Sequence, residues 1–424
     1  MNEIPNSTPA PAAVFLEPVP YQWSLCEYLK TEQRELWNWF SSNRVRTEHV
    51  EKVRLDLLRS TYRIEHDTQA GLYARAQDLA ARFGIDASIT IYQAHSAGEL
   101  NAALAYVPGE VHLILHGAIL AMLGPVELDA MLAHELSHFL LYHKWDGDFL
   151  VTSEVVRALA NDRAADSCHL ETARLLRLYE EIFADRGSLL ATGDLSASVA
   201  ALVKLHTGLA EVSAESYLRQ ADEIFSKSRE STRQMTHPEP FIRARALQLW
   251  ETHRETAEQE IVRMIEGSAA LDALDLIGRK KVAQSTRRLI GRYLAPSWLQ
   301  TELLIAHARQ FFDDFAAGKE DSPDPAEGSP ADGELETADP SLRDYFCYVL
   351  LDFAVADQSL DDLPLSAALV TARQAGLGPR FSEIAAKELG LAKKRFAKIE
   401  ANAERRVMEA MKEETKIQPR MEHR

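Results

Sequence analysis

Residues 124–143 read GPVELDAMLAHELSHFLLYH, and the fold is decided by this stretch. Gly124-Pro125 opens a helix, because proline suits the first helical position and Glu127 and Asp129 suit the positive end of the helix dipole. The helix should run to about His143. Inside it stands His134-Glu135-Leu136-Ser137-His138. Two histidines four residues apart lie about 40° apart around a helix and one turn along it, so both imidazoles can reach one ion. Glu135 projects from the neighbouring face, where a carboxylate can take a proton from a water held by that ion.

A metal site that keeps an open position for water needs three protein ligands. In the extended HExxHxxGxxH arrangement a glycine and a histidine would fall at 141 and 144. This chain has Leu141 and Lys144 there, which excludes that geometry. The third ligand must come from a later element, and Glu154, Glu171, Glu180 and Glu181 are the candidates. In Glu181-Ile182-Phe183-Ala184-Asp185 the two acids share a helix face. Glu181 then fits a ligand, and Asp185 fits an acceptor for the hydrogen bond of a ligating histidine. Spacing alone does not choose between Glu180 and Glu181.

Outward from this core the pattern alternates between helix and strand. Trp23 to about Asp67 carries apolar residues at helical spacing, and GLYARAQDLAARF at 71–83 is an amphipathic helix ended by Gly84. SITIYQA at 88–94 and VHLILH at 111–116 read as strands. ELNAALAYV at 99–107 suits a short strand, with helix left open by its Ala and Leu. Helices are expected over 153–192, 196–208, about 213–229 and 241–267. The Pro- and Ala-rich residues 1–20 are expected to be disordered, and so is the acidic linker at 317–341. A compact helical set follows over 342–400, then a charged tail at 401–424.

The 424 residues carry 47 basic and 64 acidic side chains, a formal charge of −17, which argues against a nucleic-acid partner. Cys26, Cys168 and Cys347 form no CxxC and no disulfide framework, which fits a reducing compartment. The N-terminus lacks a basic and an apolar signal region. The longest apolar runs, such as 346–356, are half a membrane span and are broken by Asp352. A cytoplasmic protein without stable membrane insertion is expected.

HELSH, EIFADRGSLLATGD at 181–194 and Thr236-His237-Pro238 followed by Arg243 together resemble the zinc metallopeptidase family M48, which includes the Ste24/HtpX-like enzymes. Asn101-Ala102 resembles that family's segment before its active-site edge strand. The resemblance covers about 70–250. It implies one zinc ion per chain held by His134, His138 and Glu181, with Glu135 as general base and Asp185 supporting the ligands. His237 would lie near the metal, to stabilise the oxyanion or occupy the open coordination site. Arg243 would brace the Glu181 helix or the Asp185 carboxylate. Asn101 and Ala102 would bind a protein or peptide substrate, extended against the edge strand. Many relatives have transmembrane helices that this chain lacks, which makes it a soluble form. The polar helical stretch 144–170 is placed to cover the cleft as a lid.

Residues 345–391 are weakly similar to the TerB-like helical domain of tellurite-resistance proteins, which implies a stress- or defence-related regulatory module with its own protein partner. Asp352, Asp357, Asp361 and Asp362 suit either helix caps or a metal-contacting turn. The reading that results is an α+β protein. A mostly helical gluzincin-type metallopeptidase domain with a small mixed sheet spans 69–255, after a helical extension at 21–68. A helical connector at 256–316 and the linker lead to an all-α C-terminal domain. The second reading is a catalytically inactive M48-fold scaffold that acts through protein–protein interaction.

Overall fold

The computed structural model describes residues 13–94, 100–227, 240–254, 256–267, 270–316, 334–336 and 338–417, with backbone alone at 43–49 and 414–417. The chain divides into two units, 1–267 and 268–424.

The first unit opens with α1 (Pro20–Glu32), α2 (Arg34–Ser41) and α3 (Asn43–Ser60). The last part of the expected helical extension is a strand instead, because β1 (Thr61–Arg63) pairs antiparallel with β2 (Ser88–Ala94). The stretch 13–19, expected without structure, is packed: Leu16 and Val19 are buried and the Val14 N–H donates to the Arg82 carbonyl. Between β1 and β2 lies α4 (Ala70–Arg82), which buries Leu72, Tyr73, Ala76, Leu79 and Ala80 along one stripe.

β2 runs parallel to β4 (Glu110–His116), and β3 (Asn101–Val107) pairs antiparallel with β4, Leu104 opposite Leu113. The helix left open over 99–107 is excluded by the hairpin at Pro108-Gly109, where Gly109 takes φ +78°. Among the described residues the sheet order is β1-β2-β4-β3, which leaves β3 on an edge.

The short α5 (Ile119–Met122) leads to α6 (Pro125–His143), the central helix. It packs against α4, β3 and three later helices, α7 (Asp148–Asn161), α8 (Ser167–Thr192) and α9 (Leu195–Thr207). The single helix expected over 153–192 is therefore two. Asp162 and Asp166 break it: Asp162 accepts from the Ala164 N–H, and Asp166 caps α8 by accepting from the Cys168 and His169 N–H groups. Three helices complete the unit: α10 (Ala214–Lys227), α11 (Pro240–His253) and α12 (Ala257–Glu266).

In the second unit α13 (Leu276–Tyr293) and α14 (Glu302–Phe311) are followed by α15 (Pro340–Ala356), α16 (Leu363–Gln374), α17 (Gly378–Glu388) and α18 (Lys393–Ile417). Leu289, Ile290, Tyr293 and Leu304 share one core with Phe346, Phe353 and Phe381. Most of the expected connector is thus part of this helical unit, since its apolar stripe has to be covered. The charged tail also begins later than expected, because Ala403 and Val407 of α18 are buried in the same core. Most of the expected linker lies outside the described residues. Among the described residues no helix is long and apolar enough to cross a membrane.

Candidate metal centre

The site is built where α6 crosses α8. The Glu127 carboxylate accepts from the Gly124 N–H at the start of α6 and from Lys204 Nζ of α9, each at 2.7 Å. This fixes the N-terminal end of α6, with Glu127 about two turns before His134. Further along, Gly187 of α8 lies against Ser137 of α6, so closely that a Cβ at 187 would sit 1.9 Å from Ser137 Oγ. The missing side chain lets the two helices approach.

That approach brings three donors together. His134 Nε2 and His138 Nε2 are 3.2 Å apart, Glu181 Oε2 is 3.5 Å from His134 Nε2, and Glu181 Oε1 is 3.8 Å from His138 Nε2. Ligands about 2.0–2.1 Å from a tetrahedral zinc ion are separated by about 3.3–3.4 Å. The donor set and its spacing therefore fit such an ion. Among the described residues this is the group of His, Cys and acidic side chains close enough to hold a metal.

Behind the donors stands a charged layer. Asp185, 4% exposed, accepts from His134 Nδ1 at 3.0 Å, which directs Nε2 of that ring toward the donor group. Arg243 of α11 grips Asp185 with two hydrogen bonds of 2.7 Å and reaches Glu181 Oε2 at 2.8 Å. Arg243 thus contacts the Asp185 carboxylate and, through Glu181, the helix that carries both, where the sequence leaves the choice between that helix and the Asp185 carboxylate open.

Burial opposes charge on His134, but hydrogen bonds to Asp185 and Glu181 prevail and raise it to about 10. Burial and the neighbouring His134 charge push His138 down to about 4. Against the effect of burial, Arg243 and His134 hold Glu181 and Asp185 below the usual carboxylate range. Two negative charges thus face the one on Arg243, and the His134 proton balances the remainder. A divalent cation among the donors would take over that proton's electrostatic role.

Glu135, 7% exposed, faces the same cavity of about 460 Å³, and burial raises its carboxyl to about 7. It accepts a hydrogen bond from the Leu104 backbone of β3. In an antiparallel pair, alternate residues turn their backbone groups away from the partner strand, so Ala102 and Leu104 present theirs on the outer edge. Asn101 and Ala102 line this cavity. His237 lies outside the described residues.

One site residue, Tyr142, had no reading in the sequence, and its partner Glu180 stood there only as one of four candidate ligands. Glu180 points away from the donors, is bonded to Ser153 of α7 and Tyr142 of α6, and is raised to about 7 by burial. This separates it from Glu181, which spacing could not do. Tyr142 stands four residues after His138 and so shares its helix face, which was the available signal. The stretch 144–170, expected as a lid, places α7 against α1, α2 and α8.

Residues 66–251 match the family model described as Peptidase family M48. The chain is also similar to an Arabidopsis thaliana protein named plastoglobule-localized metallopeptidase 48, chloroplastic, at 28% identity over 158 residues. The similarity covers 32% of this chain and 44% of that protein, so the chain spans less than half the length of this relative. No solved structure matches the chain.

Proposed function

We propose that the segment matching peptidase family M48 is a zinc-dependent endopeptidase that hydrolyses peptide bonds. The observation that carries this reading is the donor triangle of His134, His138 and Glu181 at tetrahedral spacing, with buried Glu135 and an open strand edge beside it. A zinc ion there supplies Lewis acidity, polarising a scissile carbonyl and lowering the pKa of a water toward ~7.

The chain's own groups do the rest. Glu135 accepts the proton of the attacking water and delivers it to the leaving amine nitrogen, and a carboxyl near 7 is suited to both transfers. Ala102 and the Leu104 carbonyl pair with the backbone of an extended substrate, which stays aligned over the donors. Asp185 keeps His134 in the ligating orientation, and Arg243 neutralises the carboxylates behind it. His237 contributes an imidazole that stabilises the oxyanion. A cytoplasmic location goes with this reading, supported by the burial of Cys26, Cys168 and Cys347 outside any disulfide among the described residues. The second unit is read as a TerB-like regulatory module with a protein partner, supported by exposed Leu303 and Val355 around one hollow of its surface.

The test is Glu135→Gln. The variant should retain one zinc per chain by metal analysis and lose about 10²–10⁴-fold in cleavage of unfolded casein. Wild-type cleavage should stop on addition of a chelator and return with zinc. Unchanged cleavage by Glu135→Gln would overturn the assignment of the base. A purified protein that binds no zinc and cleaves nothing would leave the scaffold reading in its place.

A further inference from the structure

A second cavity of about 460 Å³ opens on the same edge strand as the metal centre. Asn101 to Leu104 line the first cavity, Ala105, Tyr106 and Pro108 line the second, and Tyr142 stands in the wall of both. The two are successive stations along one strand. At about 3.4 Å per residue, Tyr106 lies roughly 7 Å beyond Leu104, the residue whose backbone meets Glu135.

The far wall is apolar. Trp39 and Phe40 of α2 and Val50 and Val53 of α3 supply it. Trp39 stays 56% exposed, with its ring edge-on to Phe40 at 4.6 Å. The polar groups of the opposite wall are engaged elsewhere, Ser153 with Glu180 and Glu154 with Arg157. An entering polar or charged side chain would therefore lose water without gaining a partner. All four far-wall residues precede the segment that matches the peptidase family, so this wall is an addition made by the rest of the chain.

We propose that this cavity is a specificity pocket that takes a large apolar or aromatic side chain of the peptide substrate, two to four residues from the scissile bond. The proposal rests on the endopeptidase reading. The occupant follows from continuity: a peptide paired with the outer edge of β3 runs from the donors past Tyr142 and over Ala105 and Tyr106. Alternate side chains of such a peptide point to one face, which brings one of them to the cavity mouth. A ligand unconnected to the substrate would compete with that backbone for the same edge.

The experiment uses the zinc-loaded full chain and fluorogenic peptides derived from one casein fragment that it cleaves. The peptides differ only in carrying Phe, Leu, Ala or Asp at single positions within four residues on either side of the cleaved bond. At one position Phe or Leu should exceed Ala in kcat/KM by about 10- to 100-fold, and Asp should be lower still. Val53→Arg and Trp39→Ala should each pull that ratio toward one. Equal rates at every position, or a preference left intact in both variants, would overturn the pocket. Absence of cleavage for every peptide would instead overturn the endopeptidase reading. The pocket is then read without turnover, by fluorescence anisotropy of labelled Phe and Ala peptides on Glu135→Gln, where equal affinities would sink it.

Discussion

Gly187→Ala tests whether the spacing of α6 and α8 sets the metal site. The added methyl would sit 1.9 Å from Ser137 Oγ, 2.9 Å from Ser137 Cβ and 3.0 Å from Leu16 Cδ2. Against an ordinary contact of 3.4 Å, the shortfall is 1.5 Å at the hydroxyl and 0.5 Å at Cβ. Turning the hydroxyl away would break its 2.7 Å bond to the Ala133 carbonyl and still leave the Cβ clash. The helices must part. Overpacking of this kind costs about 1–3 kcal/mol. At about 2–4 °C per kcal/mol for a unit of this size, Tm should fall by about 2–12 °C. The same movement carries Glu181 away from His138, already the widest of the three spacings at 3.8 Å. Zinc affinity should therefore drop by about tenfold or more. Calorimetric melting and competition with a chromophoric chelator read the two effects. Ser137→Gly removes both clashing atoms, at about 1 kcal/mol for a glycine within a helix. In the double variant the costs should be clearly less than additive. A Gly187→Ala protein with wild-type Tm and zinc affinity would refute the reasoning, and so would strictly additive costs.

Asp185→Asn removes the charge that orients His134 and should weaken zinc binding by about 10- to 100-fold, measured by the same competition, while Glu135-dependent cleavage persists at saturating zinc. Glu180→Gln gives a pH signature in the chelated protein. Burial raises the Glu180 carboxyl from 4.5 to about 7, so its contribution is present below 4.5 and is lost as pH rises through 7. The Gln variant should therefore gain about 1–3 kcal/mol relative to wild type between pH 4.5 and 8 in denaturant melts, and a constant difference would contradict this. Asp357→Ala should cost about 1–2 kcal/mol in the second unit, because its carboxylate accepts from the Ser359 N–H and hydroxyl and from Thr301 Oγ1. Calcium should leave the melting of that unit unchanged, since those contacts make Asp357 a cap.

The sequence made the helix at 124–143 legible because its start signals, its apolar run and the four-residue histidine spacing agree with one another. β2 and β4 were legible by alternation. β3 was ambiguous, because Ala and Leu suit either state and the hairpin beyond Val107 decides between them. The choice of Glu181 over Glu180 could not be read from spacing. Adjacent residues on a helix point about 100° apart, and only the packing partners show which faces His134 and which faces Ser153. Gly187 was visible as a glycine inside a helical pattern, yet its partner is Ser137, fifty residues away. The second cavity was beyond reach for the same reason, because its walls join residues 39–53 to 105–108 and 142–154.

The scaffold alternative makes a physical demand that the site meets poorly. Glu181, Asp185, Arg243 and a charged His134 are held ionised at or below the surface, and Glu135 is buried beside them. Such a cluster loses hydration that its mutual attraction repays only in good geometry, and well-packed apolar residues of similar volume are often as stable or more so. A chain with no use for the metal would gain stability by replacing them. His138 and Glu135 sharpen the point. Neither makes an ion pair with Arg243, yet His138 is kept neutral and Glu135 near neutrality, as a ligand and a proton acceptor require. Folding alone gives no reason to keep two such groups lining one cavity beside the open edge of β3. Hydrolysis of a peptide lying on that edge does.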